Sequence, residues 1–481
     1  MTEPVMPNEY AAAALVDAPA PDEDLAGELR AAGIAVDTSA AARASHGRDW
    51  WPLTLAAVHE GRVANWPALV ARPTSTDQVR EVLARAGARG VAVTAHGGRS
   101  SVLGGAGAPS GAVALDMTAM NRVLDVDATS GLVRVQAGCF GPDLEAAMRP
   151  HGLTVGHRPQ SFDLSTVGGW IACRGAGQYS NRYGTVQDRV RGLSVVLATG
   201  EVLVLGGRAP RRAEGPDLLQ LFVGSEGALG VITEATLVAH RLPERERRAA
   251  YRFDTFAEGL DACRRILQRG ARPAVLRLYD EAESRRVFEV HGCALVVLDE
   301  GDEGLCEATM EVVAAECAGA APADEALVGR WLEHRNDVGA LAPLWEAGIC
   351  VDTLEVSGAW ADLEDLDARV RAALMALPET LVATVHQSHA YVDGACLYFT
   401  FAGRPEGDPT PYYRRAWDAA TGAALAAGGS LSHHHGIGRA RARFLAASGG
   451  EAASLLASLK SVLDPRGLLN PGVLGLGGPP W

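Results

Sequence analysis

The sequence predicts an α+β protein in which helices interrupt runs of strands, unlike a regular βαβ repeat. Three observations carry that reading. Short helical and extended segments alternate from Ala71 onward, and residues 121–138 and 193–205 each read as two alternating arms about a turn. A charged segment at residues 242–250 then separates this region from a second one. At 481 residues the chain exceeds one simple core. Its expected divisions are a tail and helical leader (1–60), a first unit (61–242), a second with an antiparallel sheet (243–427) and a C-terminal segment (428–481).

The elements follow in order. Residues 1 to about 25 are acidic and rich in proline and alanine, which predicts a flexible tail, and Leu25, Leu29 and Ala32 then recur at helical spacing. TSTDQVREVLARAGARG (74–90) predicts a helix opening near Thr76 or Asp77 and closing at Gly87 or Gly90. GVAVTA (90–95) and GAVALDM (111–117) predict strands, and NRVLDVDATSGLVRVQAG (121–138) predicts a hairpin turning at Thr129 to Gly131. GPDLEAAMRPHG (141–152) predicts a short helix, LSVVLATGEVLVL (193–205) a hairpin around Thr199 and Gly200, and GVITEATLVAH (230–240) a strand. LPERERRAA (242–250) reads as a charged connector. Beyond it come a helix (256–270), strands in PAVLRLYD (273–280) and ALVVLDE (294–300), and a long acidic, alanine-rich helical stretch. DGACLYFTF (393–401) predicts a strand dense in aromatic residues, with one helix before and one after the triple histidine at 433–435.

Composition narrows the function. Forty-four Lys plus Arg against 58 Asp plus Glu give a formal charge of −14, which repels nucleic acid and anionic membranes. The eight cysteines form no CxxC pair, so reduced, buried thiols are expected. The first 25 residues lack the basic start and apolar core of a signal peptide, and no apolar run reaches the ~18 residues a membrane span requires. The expectation is a cytoplasmic enzyme acting on a small molecule, with no nucleic-acid partner and no transmembrane segment.

Motifs sharpen this. TAHGGRSSVLGG (94–105) follows a strand and has the glycines that let backbone N–H groups approach a diphosphate, although such a stretch alone also reads as an ordinary turn. Three companions follow: PQSFDLSTVGGWIACRGAGQYSNRYG (159–184), LFVGSEGALGVITEATL (221–237) and VLDPRGLLNPG (462–472). Together, over residues 45–481, they resemble the FAD-binding fold of the vanillyl-alcohol-oxidase and PCMH-type flavoproteins. Within that superfamily the chain is most similar to alkyldihydroxyacetonephosphate synthase and its bacterial relatives, through RDWWP (48–52), the STVGGW core (165–170), PAVLRLYD, DGACLYFTF and LSHHHGIG (431–438).

That resemblance implies a PCMH-type FAD-binding domain of two α/β subdomains over 61–242, a cap or substrate domain over 243–427, and a last segment returning to the active site. It places Ala95, His96, Gly97, Gly98, Arg99, Ser100 and Ser101 in the diphosphate loop. Gln160, Ser161, Ser165, Thr166, Cys173, Arg174, Gly175 and Ala176 would line the flavin. Glu226, Gly227, Gly230, Val231 and Ile232 would hold the adenine half and the isoalloxazine edge, with Asn470 from the last motif. Arg277 corresponds to the family's activity-critical arginine, Tyr398 to its proton-accepting tyrosine, and His433, His434 and His435 to its histidine cluster. A homodimer is implied in the same way.

Histidines titrate near neutrality, so the cluster could take a proton as hydrogen leaves the substrate; it could also bind metal or pack at a boundary. Tyr398 would join as a base only with a lowered pKa. In the D-2-hydroxy acid dehydrogenase branch a metal is held by a Glu-His-Gly turn and a histidine pair on the aromatic strand. Here His434 replaces the glutamate and only His389 of the pair remains, so no metal is expected. Arg99 stands where some relatives carry a flavin-linking histidine, which implies non-covalent FAD. The synthases' phosphate-gripping arginine falls on Leu341, with Arg335 the nearest arginine, so a phosphorylated substrate loses its strongest contact. The leading expectation is an FAD-dependent oxidoreductase removing hydrogen from a carbon bearing O or N. Alternatives are a synthase-like, non-redox ether-forming exchange through a flavin N5 adduct, a D-2-hydroxy acid dehydrogenase, and a non-catalytic flavoprotein subunit. Arg277 could equally be an ordinary partner of Asp280 or Glu281.

Overall fold

The structure, a computed structural model, describes residues 12–478. The first eleven residues of the expected flexible tail lie outside the described residues, while Glu23–Ala31 is the helix read from Leu25 and Leu29, both buried.

The first sheet contains β1 (Ala35–Asp37), β2 (Leu69–Arg72), β3 (Val93–His96) and β4 (Val113–Asp116), in the order β1-β2-β4-β3. β4 runs parallel to both β2 and β3. The helix Thr76–Arg89 connects β2 to β3 and buries Val79, Val82, Leu83 and Ala86. Its cap is Ser75, whose side chain accepts from Gln78 N, and it ends at Gly90 in the left-handed region, φ 70°. Gly87 is interior to the helix rather than its stop.

A second sheet is formed by β5 (Val123–Asp127), β6 (Leu132–Gln136), β8 (Val190–Val196), β9 (Val202–Gly206) and β10 (Val231–Val238), in the order β5-β6-β10-β8-β9. Both expected hairpins are present, as β5–β6 and β8–β9. The short strands β7 (Leu153–Thr154) and β11 (His240–Arg241) pair with each other.

The expected connector at 242–250 is instead mostly strand. β12 (Arg245–Phe253) joins β13 (Val275–Tyr279), β14 (Cys293–Gly301), β15 (Ala321–Ala323), β16 (Cys350–Ala359), β17 (Thr380–Ala390) and β18 (Gly394–Gly403). They make a seven-stranded antiparallel sheet in the order β15-β12-β14-β13-β17-β18-β16. The charge that suggested a linker belongs to a solvated strand face: Arg245 and Arg247 pair with Glu303 and Glu307 of the neighbouring helix. The long helical stretch expected after residue 300 is broken by β15 between the helices Glu303–Glu316 and Ala326–His334. Two helices, Ala442–Ser448 and Gly450–Leu463, follow the triple histidine rather than one.

Alternation sorts the large sheet. Leu276 and Leu278 of β13, Val385 of β17, Leu397, Phe399 and Phe401 of β18 and Leu354 of β16 enter one apolar core with the helices Phe256–Gln268, Leu363–Met375 and Thr410–Ala426. The opposite side faces the two smaller sheets across a shared cavity. Strand register there sets Tyr279, His386, Tyr398 and Glu355 in one row across β13, β17, β18 and β16. All eight cysteines are free, seven of them buried. No helix among the described residues is long and apolar enough to cross a membrane.

Candidate active site

A cavity of about 750 Å³ lies where the two smaller sheets meet that row of side chains. Its floor is the end of β3 with the loop that follows, and all seven residues expected there, 95–101, line it. The glycines are required by close approach: a Cβ on Gly97 would come 1.9 Å from Thr166 Oγ1, and one on Gly98 would come 1.7 Å from the Leu164 carbonyl oxygen. Gly98→Ala is therefore expected to cost about 1–3 kcal/mol and to abolish FAD retention, read by thermal melting and by flavin absorbance after desalting. Arg99 holds φ 56° without being glycine. Its guanidinium donates to the Ser45 carbonyl and, at 2.9 Å, to Ser45 Oγ, while burial lowers its pKa to about 10.

Gln160, Ser161, Ser165, Thr166, Cys173, Gly175 and Ala176 line the cavity from either side of the helix Val167–Ala172. Thr166 caps this helix by accepting from Gly169 N, and Ser165 Oγ accepts from Trp170 Nε1 at 2.6 Å. Arg174 departs from the expectation: it is not on the cavity wall, and its guanidinium turns away to Gln187. Glu226, Gly227, Gly230, Val231 and Ile232 supply another wall. Asn470 stands behind the wall, its amide donating to the carbonyls of Gly105 at 2.9 Å and Glu226 at 2.7 Å, so it braces loops rather than touching the cavity.

Glu226 links this half to the histidine turn. Its carboxylate accepts from Ile437 N at 2.6 Å and Gly438 N at 2.8 Å, and burial raises its pKa from 4.5 to about 7. A carboxyl raised on folding contributes stability below its unfolded pKa and loses that contribution as pH rises through its folded value. Glu226→Gln should therefore gain in melting temperature over the parent between pH 5 and pH 8; a pH-independent difference would show that this group does not titrate in that window.

On the large-sheet wall of the cavity, Arg277 pairs with neither Asp280 nor Glu281. Its Nη2 lies 2.8 Å from His386 Nε2 and its Nε 3.2 Å from the Tyr279 hydroxyl. A guanidinium only donates, so His386 Nε2 is the acceptor and Nδ1 carries the hydrogen, donated to Glu283 Oε2 at 2.9 Å. Asp280 instead caps the helix Glu281–Phe288, and Glu281 pairs with Arg285.

The histidine turn is gathered by Glu355, which is fully buried. Its Oε1 accepts from the backbone N–H of His433, His434 and His435 at 3.2, 3.1 and 2.8 Å, and from Ser432 Oγ at 2.6 Å. Arg441, also fully buried, pairs with both carboxylate oxygens. His435 Nδ1 lies 3.2 Å from Glu355 Oε2, within ion-pairing range but outside hydrogen-bond angles. His434 and His435 line the cavity and His433 does not. Burial lowers the pKa of His433 to about 4 and that of His434 well below the usual histidine range. Tyr398 lines the cavity edge-on to His435, ring centroids 5.5 Å apart. The lowered pKa that a basic tyrosine needs is not met: burial raises it, and the hydroxyl donates to Thr353 Oγ1 at 3.0 Å. Leu341 and Arg335 both line the cavity, Arg335 spread over Tyr179 and Trp331.

Sequence reading missed Glu355, His386 and Glu283. The available signal for Glu355 was its place as one of two acids, with Asp352, in the strand-like VDTLEVSG (351–358); the other two carried none.

The fold, of p-cresol methylhydroxylase type, and the cavity, with the family matches, define an FAD-linked oxidoreductase, an enzyme whose cofactor is FAD. Residues 67–206 match the FAD binding domain family and residues 242–474 the C-terminal domain of FAD linked oxidases. The uncharacterized FAD-linked oxidoreductase YgcU of Escherichia coli O157:H7 is 32% identical over 431 residues, covering 85% of this chain and 89% of that protein. The chain belongs to the FAD-linked oxidoreductase family. A solved alkyldihydroxyacetonephosphate synthase superposes with a TM-score of 0.79 at 27% identity, over 95% of this chain and 87% of that one. Substrate-bound p-cresol methylhydroxylase superposes at 0.76 with 15% identity, over 95% and 97%, a likeness of fold alone. The cradle fits the cofactor: glycines without room for a Cβ face the cavity, and both ring nitrogens of buried His96 lack protein partners among the described residues.

Proposed function

We propose that this enzyme removes hydrogen from a carbon bearing oxygen or nitrogen in a small or moderately hydrophobic substrate, with His435 as the base. The observation that carries the reading is the His435 imidazole on the cavity wall, with a buried carboxylate 3.2 Å from its Nδ1. That carboxylate stabilises the imidazolium formed when a substrate proton is taken. FAD, when bound, supplies the two-electron acceptor. Residues 95–101 and 226–232 would hold it, and Arg99 at the linking position supports non-covalent attachment, so denaturation should release the flavin.

The chain's own groups divide the remaining work. Arg277, fixed by His386, presents a permanent cation to an electronegative substituent of the substrate. Tyr398 keeps its proton and orients rather than accepts. Val338, Leu341 and Trp345 line the cavity and suit an apolar substituent, excluding water from it. A homodimer is part of the proposal, to be read by light scattering.

Anaerobic mixing with a panel of alcohols, 2-hydroxy acids and amines tests the reaction. A lasting bleach of the flavin band by any member supports hydrogen removal. Turnover of an acyl-dihydroxyacetone phosphate with a fatty alcohol, the flavin staying oxidised, would overturn it in favour of exchange.

A further inference from the structure

At the end of β3 stands a buried side chain that no described residue satisfies. We propose that His96 is a proton-linked anchor for FAD, taking one proton from solvent when the cofactor's diphosphate enters the loop and returning it when FAD leaves. His96 lines the cavity, is 5% exposed, and has no hydrogen-bond partner at either ring nitrogen among the described residues. A buried imidazole in that state leaves a donor and an acceptor unmatched, a cost that a ligand of the cavity removes.

The strand fixes what surrounds it. Val93 enters the core of the first sheet with Val79 and Val82 of the helix Thr76–Arg89, so alternation turns Thr94 and His96 to the opposite side. Register sets His96 beside Asp116 of the parallel strand β4. The helix Ala40–His46 packs on that side, Ala42 against a small cluster with Ala114, and its last residue brings the His46 ring to 5.2 Å from that of His96.

His46 and Asp116 already have partners. His46 Nδ1 donates to the Ala42 carbonyl at 2.8 Å, and its Nε2 lies 3.3 Å from Asp116 Oδ2. That oxygen also accepts from Arg72 Nε at 3.0 Å, while Oδ1 accepts from Thr118 N at 3.0 Å and Thr118 Oγ1 at 2.7 Å. Of the three, only His96 lines the cavity, so it is the member that a ligand there meets.

The charged and titratable groups facing His96 are His46 from the helix, Asp116 from β4, Arg72 from β2 and Arg99 from the loop. Burial and then His46 hold its pKa well below the usual histidine range, with Arg99 and Arg72 acting the same way and only Asp116 opposing them. Without the cofactor, His96 is therefore neutral. The negative charge of a diphosphate beside it reverses that balance, because an imidazolium donating to a phosphate oxygen makes a charge-assisted hydrogen bond. Arg99 does not take that part with its Nη1, which donates to the Ser45 carbonyl and Oγ. His46, His96 and Asp116 also have the donor types of a metal site, one atom from each lying within 4.8 Å of the others. Two guanidiniums decide against a metal cation: Arg72 bonds the carboxylate oxygen it would need, and Arg99 adds a second positive charge.

The test uses the full-length chain. Serial dilution of FAD-loaded protein, with released flavin read by its fluorescence, gives Kd as a function of pH. FAD raises the pKa of His96, so binding is tightest at low pH and weakens as pH rises toward the bound value. In the parent Kd should increase about tenfold per pH unit between about pH 6 and 8, the slope for one linked proton, and in His96→Gln it should be flat. Calorimetric titration of FAD into deflavinated protein, in phosphate and in Tris, counts the same proton: about one taken up by the parent near pH 7, and none by His96→Gln. Retained flavin colour reports that the variant has folded; if it holds no flavin, the parent's proton count decides. A parent with no net uptake overturns the anchor, as does a pH slope undiminished in His96→Gln, whether it comes from Glu226 or another group. Zinc retained by the FAD-loaded parent and lost in His96→Gln would overturn it in favour of a metal. The linkage needs residues 95–101 to hold FAD and does not need the proposed hydrogen removal. A Gly98→Ala protein that keeps its flavin would overturn the loop placement and the anchor together, whereas flavin lost there with no proton uptake in the parent overturns the anchor alone.

Discussion

His435→Gln is expected to slow flavin reduction by roughly 10²–10⁴-fold, the range that a positioned general base contributes, while FAD stays bound. Glutamine keeps the polarity and approximate size of the side chain and can donate or accept a hydrogen bond, but it cannot carry the substrate proton away. Residues 95–101 and 226–232, which would hold the cofactor, lie on other segments, so the flavin spectrum and the cofactor content after desalting should match the parent. Anaerobic stopped-flow measurement of the reductive half-reaction reads the change directly. An unchanged rate with saturating substrate would remove His435 from the chemistry and turn attention to His434, the other histidine of the turn on the wall.

Glu355→Ala is expected to destabilise the protein by about 3–5 kcal/mol, the cost of breaking a buried ion pair by removing one partner. Arg441 would be left charged and fully buried, and the three histidine N–H groups and the Ser432 hydroxyl would lose their common acceptor. Glu355→Gln separates the two contributions, since its amide oxygen still accepts from the turn while the charge opposite Arg441 is gone. Chemical denaturation of both variants reads the stability. A loss below about 1 kcal/mol in the alanine variant, the scale of a single ordinary hydrogen bond, would show that water takes over the carboxylate's place. Because Glu355 also faces His435 Nδ1, both variants should reduce flavin slowly even where they remain folded.

The two expectations concern residues of different legibility. His435 stood out as one of three consecutive histidines before a glycine; Glu355 did not, although it touches all three. The same contrast runs through the molecule. Ser75 and Gly90 bound the helix Thr76–Arg89 through contacts spanning three or four residues, and the β5–β6 and β8–β9 hairpins turn within a few residues. Such features leave local, periodic traces. Arg245–Phe253 left a misleading one, because a strand whose exposed arginines pair with another element's glutamates has the composition of a linker. Arg174 shows the converse: it sits inside a cofactor motif, yet at φ 54° its backbone directs the side chain to Gln187.

By itself the sequence determined the loop proposed to cradle the cofactor, since the close approach there requires glycines at adjacent positions, and it determined most of the helices and strands around that loop. Only the tertiary structure decided what surrounds the histidines. The carboxylate that holds them lies 78 residues from His433. Arg277 is oriented by a histidine 109 residues away, and the bulge that brings His389 opposite Cys396 exists only where two strands pair. Those relations are set by strand register and by the burial of charge in a shared interior. Neither has a period along the chain, so both appear only once the chain has folded.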